Sequence, residues 1–171
     1  LAITFLAVAF STLINGPAIA DSRAIHQDLT VSLDPAHRNL NVTAQIDIQG
    51  RGALTFYLAK NLEVSDFAID GKKAFSRRFG ETLMVGLSGD GPHQIIMTYK
   101  GVLAASPNAS GPFGINEPVS SEDGSFLPAG STWHPSFGNT KVSYRLDIRV
   151  PKSQRAVAPG RLVREETLGA D

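Results

Sequence analysis

The chain has 171 residues, 42% of them hydrophobic, with 16 Lys+Arg against 16 Asp+Glu and no cysteine. A chain of this size buries one sizeable core, so one domain with tails is expected, and the balanced charge gives no overall pull toward nucleic acid or an anionic membrane. Disulfides and thiolate chemistry are excluded, and Gly 16 with Pro 10 points to a turn-rich β protein.

The first stretch, "LAITFLAVAFSTLINGPAIADSRA", runs apolar from Leu1 to Ile14, breaks at Asn15-Gly16-Pro17, and reaches Ala18-Ile19-Ala20 before Asp21. An apolar core followed by a small-x-small site is the pattern of an export signal. Residues 1–20 are therefore expected to be a signal peptide and 21–24 a short leader, with the mature chain exported to a periplasm or the extracellular space. The chain opens on Leu1 and has no basic residue before Arg23, so the signal reads as N-terminally incomplete. Its apolar run falls short of the roughly 20 residues that span a bilayer, and membrane attachment is not indicated.

From Ile25 the periodicity is two. Leu29, Val31 and Leu33 alternate with polar residues, 34–39 reads as a turn, and Leu40, Val42, Ala44, Ile46 and Ile48 alternate again, which predicts a hairpin. Gly50-Arg51-Gly52 turns the chain into Leu54, Phe56 and Leu58. The apolar phase then slips between Leu62/Val64 and Phe67/Ile69, predicting a β-bulge near Ser65. Asp70-Gly71 is a hairpin-turn pair, Leu83, Val85 and Leu87 mark another strand, and 94–99 another beyond the break at 88–92. No segment after residue 24 has the pattern of an amphipathic helix.

Residues 102–131 are rich in Gly, Pro, Ser and Asn and read as a long surface loop, a length that is often functional. Two sequons, at Asn41 and Asn108, matter only in a host that glycosylates exported proteins. Trp133, the single tryptophan, follows the loop with His134 and Pro135. Tyr144, Leu146, Ile148 and Val150 then alternate with Ser143, Arg145, Asp147 and Arg149 up to Pro151, which ends the strand. Residues 157–166 are expected to make a turn and a final strand, and 167–171 to begin a linker toward a further domain.

Catalytic constellations are nearly absent. His26, His37, His93 and His134 are scattered, with no HExxH and no i, i+4 pair that could hold zinc. Ser88 in "GLSGD" lacks the glycine pattern and following helix of a nucleophile elbow and reads as a turn residue. "GRGALT" and "GDGPHQ" lack the third glycine of a dinucleotide loop, and no Walker lysine is present. Glu122-Asp123 and Glu165-Glu166 lie in polar segments where solvated charge is the simpler reading. No catalytic, cofactor or metal residue is assigned.

One resemblance covers about residues 25–166. The order "LTVSLDPAHRNLNVTAQIDIQG", "LTFYLAKNLEVSDFAIDGK", "HQIIMTYKGVL" and "WHPSFGNTKVSYRLDIRVPKSQRAVAPGRLVREE" resembles the N-terminal β-domain of aminopeptidase N-type zinc metallopeptidases, the gluzincins. Tyr99 and Gly101 match the Tyr-x-Gly that closes a central strand in that family; Trp133 and Pro135 match its aromatic-x-Pro; Tyr144 and Pro151 sit in the alternating strand ending in Val-Pro. The resemblance implies an all-β fold, a twisted antiparallel or mixed sheet or sandwich of saddle-like form. It implies a non-catalytic role as well: docking its own downstream catalytic domain and helping to wall a peptide-substrate pocket whose zinc lies in that domain. Trp133 would then be a packing anchor where the loop rejoins the sheet, rather than a substrate platform. The family's substrate-contacting Gln and following Arg before the aromatic-x-Pro have no counterpart in Phe126–Thr132. A different reading of the residues is a self-contained secreted β-sandwich that binds a protein or glycan through residues 102–131.

Overall fold

The computed structural model describes residues 24–105 and 117–167. The expected signal peptide, residues 21–23 of the leader, the sequon at Asn108 and residues 168–171 of the linker lie outside them.

Strands β1 (Ile25–Asp34) and β2 (Asn39–Gln49) form the expected hairpin. Asp34 accepts from the His37 backbone amide at 3.4 Å and contacts its ring at 2.8 Å, while Arg38 closes the turn at φ 59° with its amide on the Pro35 carbonyl. In order follow β3 (Gly52–Tyr57), β4 (Glu63–Ile69), β5 (Lys72–Lys73), β6 (Arg77–Phe79), β7 (Thr82–Leu87), β8 (Pro92–Val102), β9 (Val119–Ser121), β10 (Gly124–Phe126) and β11 (Val142–Arg149). They assemble as a six-stranded sheet, β11-β1-β2-β8-β4-β5, a three-stranded sheet, β3-β7-β6, and the two-stranded β9-β10. Only β11 against β1 is parallel, so the large sheet is mixed. The fold is all-β among the described residues, and no helix there is long and apolar enough to cross a membrane.

Alternation decides which face is buried. Leu40, Val42, Ala44, Ile46 and Ile48 of β2 are at most 2% exposed, and Ile95, Met97 and Tyr99 of β8 are fully buried beside them. The opposite face carries Asn41, Thr43, Gln45 and Asp47. Leu54 and Phe56 of β3 and Leu83, Val85 and Leu87 of β7 join the same core cluster, so the small sheet covers the large one. Each such fully buried aliphatic contributes about 1.5–3 kcal/mol, which is how a cysteine-free chain of this size holds together.

The bulge lies where the phase slip placed it: β4 against β8 changes register between Val64 and Asp66. Asp70 and Gly71 both take positive φ, 52° and 73°, the backbone that a two-residue turn between right-twisted strands requires.

Two expectations are corrected. The 102–131 segment is not wholly irregular: it holds the β9-β10 hairpin and a 3-10 turn at Ala129–Ser131. Three-residue strands are too short to produce a legible alternation. Residues 157–166 form no strand; the chain past Arg149 is a largely exposed tail in which Val157, Leu162 and Val163 are 90%, 70% and 83% exposed. Their apolar character suggested a strand, but among the described residues no neighbouring strand pairs with them.

Candidate functional site

The aromatic-x-Pro segment is tied into the sheet by bonds that span the sequence. Gly101 lies at the C-terminal end of β8, where a Cβ would sit 2.6 Å from both the Asn61 carbonyl oxygen and Leu62 Cδ2. Only glycine lets the 59–62 turn approach so closely. Two residues earlier, the Tyr99 hydroxyl, fully buried, donates to the Trp133 carbonyl at 3.2 Å. Burial pushes the Tyr99 phenol pKa far up, so it stays a neutral donor.

The Ala59 amide donates to the Thr132 carbonyl at 2.9 Å, and Tyr57 and Ser136 exchange backbone bonds of 2.8 and 2.9 Å. Gln27 Nε2 donates to the Pro135 carbonyl at 2.8 Å, and Phe137 stacks obliquely on Phe56 with ring centroids 5.7 Å apart. Trp133 is 7% exposed, its ring edge-on to His134 at 4.8 Å, a geometry of packing. His134 is shifted below the ordinary histidine range by burial.

Next to this node lies a wide concavity. In the parallel register Leu29 faces Leu146, Gln27 faces Tyr144 and Val31 faces Ile148, so these β11 side chains belong to the core face of the sheet. The small sheet does not cover them. Val142, Leu146, Ile148 and Val150 are half-buried and Tyr144 is 48% exposed, and they floor a trough of about 970 Å³. Trp133 and Phe137 form one wall, and residues 153–159 of the tail cross it. The tail is held by Gln154 Nε2 on the Glu122 carbonyl at 3.1 Å and by the Tyr144 hydroxyl on the Pro159 carbonyl at 2.6 Å; Pro151, where β11 ends, accepts from the Gln154 amide at 2.9 Å. Gln27 Oε1 and Trp133 Nε1, an acceptor and a donor, are buried at its edge without a hydrogen-bond partner.

Of the resemblance-matched residues, Tyr99, Gly101, Trp133 and Pro135 meet around one node, Trp133, Pro135 and Tyr144 line the trough, and Pro151 follows the end of β11. Sequence reasoning missed Gln27, although it shares the buried phase of Ile25 and Leu29 and is the one polar member of that run. It also missed Arg78. That side chain turns inward and donates to the carbonyls of Leu62, Leu58 and Ala59 at 2.5, 3.2 and 2.7 Å, clamping the turn that leans on Gly101.

Nothing here makes a metal centre. Among the described residues no group of three His, Cys, Asp or Glu could hold an ion, so the donor set does not fit zinc. The histidines have local partners: His26 bonds Ser143 at 2.8 Å, His37 pairs with Asp34, and His93 sits between the Asp70 carboxylate at 2.7 Å and the Gly89 carbonyl at 3.2 Å. The Asp70 hydrogen bond holds His93 above the usual histidine pKa, and His93 in turn holds Asp70 below the usual carboxylate range. Ser88 is exposed directly after β7, before the bend at Gly89 and Asp90. Glu122 and Asp123 are exposed at the β9-β10 tip, and Glu165 and Glu166 pair with Arg155 and Arg164. A shallower concavity of about 430 Å³ between the 59–61 turn and Leu103–Ala104 shows no catalytic grouping.

No family model matches the sequence, and no curated protein matches it. Solved structures do. The M1 zinc metallopeptidase of Deinococcus radiodurans, bound to a Tyr-Ser-Ala substrate, aligns with 75% of this chain at TM-score 0.57 and 14% identity. Native yeast LTA4 hydrolase aligns with 76% at TM-score 0.54 and 16% identity, and Legionella pneumophila aminopeptidase A, in complex with aspartic acid, with 74% at 0.57 and 14%. The chain spans 32%, 23% and 16% of the length of those three proteins. The fold is that of the N-terminal β-domain of M1 zinc metallopeptidases.

Proposed function

We propose that the chain is the non-catalytic N-terminal domain of an exported, aminopeptidase-like zinc metallopeptidase, and that it docks the catalytic domain and helps to shape the peptide pocket. The observation that carries this is the trough. A sheet whose core-side residues Leu146, Ile148 and Val150 are left half-covered, beside an unpaired buried donor and acceptor on Trp133 and Gln27, is a surface built for a continuous partner. Zinc and the peptide-cleaving groups belong, on this reading, to the following polypeptide, and the described residues supply shape alone.

The test is to produce this chain and the polypeptide encoded after residue 171 as two separate proteins. Association is expected, and Leu146→Asp with Ile148→Asp should abolish it while the isolated domain still folds, because both positions are only half-buried without a partner. No association, or association untouched by the two aspartates, contradicts the docking role.

A further inference from the structure

The balanced total charge conceals a local imbalance. Lys72, Lys73, Arg77 and Arg78 all fall within residues 71–80, which contain no Asp or Glu. Arg78 is spent inward on the 58–62 carbonyls, leaving Lys72, Lys73 and Arg77 exposed. The flanking acids are Asp70, whose carboxylate is engaged by His93 and by the Gln94 amide at 2.9 Å, and Glu81. Interleaved with the three cations are Phe75, 88% exposed, and Phe79, 67% exposed.

The small sheet extends the same character. Across β3-β7-β6, Tyr57, Thr82 and Phe79 lie in one register row and Thr55, Met84 and Arg77 in the next. These rows alternate with the buried row Phe56, Leu83 and Arg78, so they form the solvent face, where Tyr57 and Met84 are 41% and 40% exposed. Apart from Arg77, that pair of rows carries no charge. Isolated surface apolars are ordinary, but a contiguous apolar face bordered by cations of one sign is an interaction surface.

We propose that this face, Lys72 to Phe79 with Tyr57 and Met84, adsorbs to an anionic lipid surface. Charge complementarity selects the occupant: the cations meet headgroup phosphates while the Phe rings enter the boundary between headgroups and acyl chains. Phe75, Phe79 and Met84, which have no strong hydrogen-bonding tips, suit an acyl boundary better than base-edge readout, and a Tyr such as Tyr57 suits the headgroup level. This surface spans the small sheet and β5, the edge of the large sheet opposite β11, so the proposal goes beyond the docking reading and stands or falls separately from it. Each cation near an anionic surface is worth about fivefold in partitioning, and three together are worth on the order of a hundredfold.

The experiment is vesicle cosedimentation of the chain from residue 24 onward, the part that carries the core and lacks the apolar leader. The protein is expected to pellet with vesicles of equimolar phosphatidylcholine and phosphatidylglycerol, to stay in solution with phosphatidylcholine alone, and to be released by salt. Lys72→Glu with Lys73→Glu, and separately Phe75→Ser with Phe79→Ser, should each reduce partitioning by about tenfold or more with an unchanged melting temperature, since all four side chains are exposed. The proposal is overturned if the wild type stays in the supernatant or if both variants bind as well as it does. It is equally overturned if the wild type ignores the vesicles but binds a single-stranded oligonucleotide with the same losses.

Discussion

Gly101→Ala and Gly86→Ala should shift stability in opposite directions. Neither glycine has a left-handed φ, so backbone strain plays no part in the comparison and only the space around the new methyl group differs. At Gly86, on the solvent face of β7, nothing lies within 4 Å of the added Cβ. There the substitution only narrows the unfolded ensemble, a gain of about 0.4–1 kcal/mol. At Gly101 the methyl meets the Asn61 carbonyl oxygen and Leu62 Cδ2, both at 2.6 Å. The carbonyl cannot withdraw freely, because the turn that carries it is fixed by Arg78 on three neighbouring carbonyls and by the Leu62 amide on the Ala59 carbonyl at 3.0 Å. Overpacking of this kind costs about 1–3 kcal/mol, and the unfolded-state gain offsets only part of it. A net loss of about 1–2 kcal/mol lowers the melting temperature by roughly 3–8 °C for a domain of this size. Thermal unfolding followed by circular dichroism reads both variants. A Gly101→Ala protein as stable as the wild type, or two shifts of the same sign, would refute close approach as the reason for the Tyr-x-Gly pattern.

Three further outcomes follow from named contacts. Tyr99→Phe removes the donor to the Trp133 carbonyl and should lower the unfolding free energy by about 1 kcal/mol, with an unchanged denaturant m-value; no loss would show that the 3.2 Å bond contributes nothing. Arg78→Met strips charged donors from three carbonyls and should lower stability by about 2–3 kcal/mol, read by urea unfolding, whereas a neutral result would mean that solvent replaces the clamp. His93 and Asp70 give a pH window. His93 is raised above 6.5, so its contribution is complete below that pH and lost as pH rises through the folded value. Asp70 is lowered below 3.8, so its contribution is complete above that pH and lost as pH falls through the folded value. The wild type should therefore melt highest above the His93→Gln, Asp70→Asn double variant between pH 3.8 and 6.5; an advantage that grows above neutrality contradicts the assignment.

Much of the architecture was legible because alternation is a local signal that burial enforces. Leu40 to Ile48 reads in phase and is buried in phase, and the slip between Val64 and Phe67 marks the bulge because one extra residue must turn every later side chain over. What could not be read is long-range. Parallel pairing of β11 with β1 leaves no trace in either strand, since partner choice depends on the connection and not on the pattern. The alternation in Tyr144 to Val150 predicted a strand but not how far its apolar face is covered, because it lies at a sheet edge where coverage is set by elements outside it. In the site, Trp133 and Pro135 stood out by residue type. Gln27 and Arg78 did not, because a polar residue in a buried phase and an arginine in a basic run acquire their roles only from carbonyls far off in sequence.

The central claim is that this β-domain serves a zinc-dependent catalytic domain encoded after it. Reading the source gene onward from the codon for Asp171 tests that most directly. The account predicts an uninterrupted frame that encodes HExxH followed by a downstream Glu; a stop codon directly after Asp171, or a continuing frame without a metal-binding helix, would contradict it.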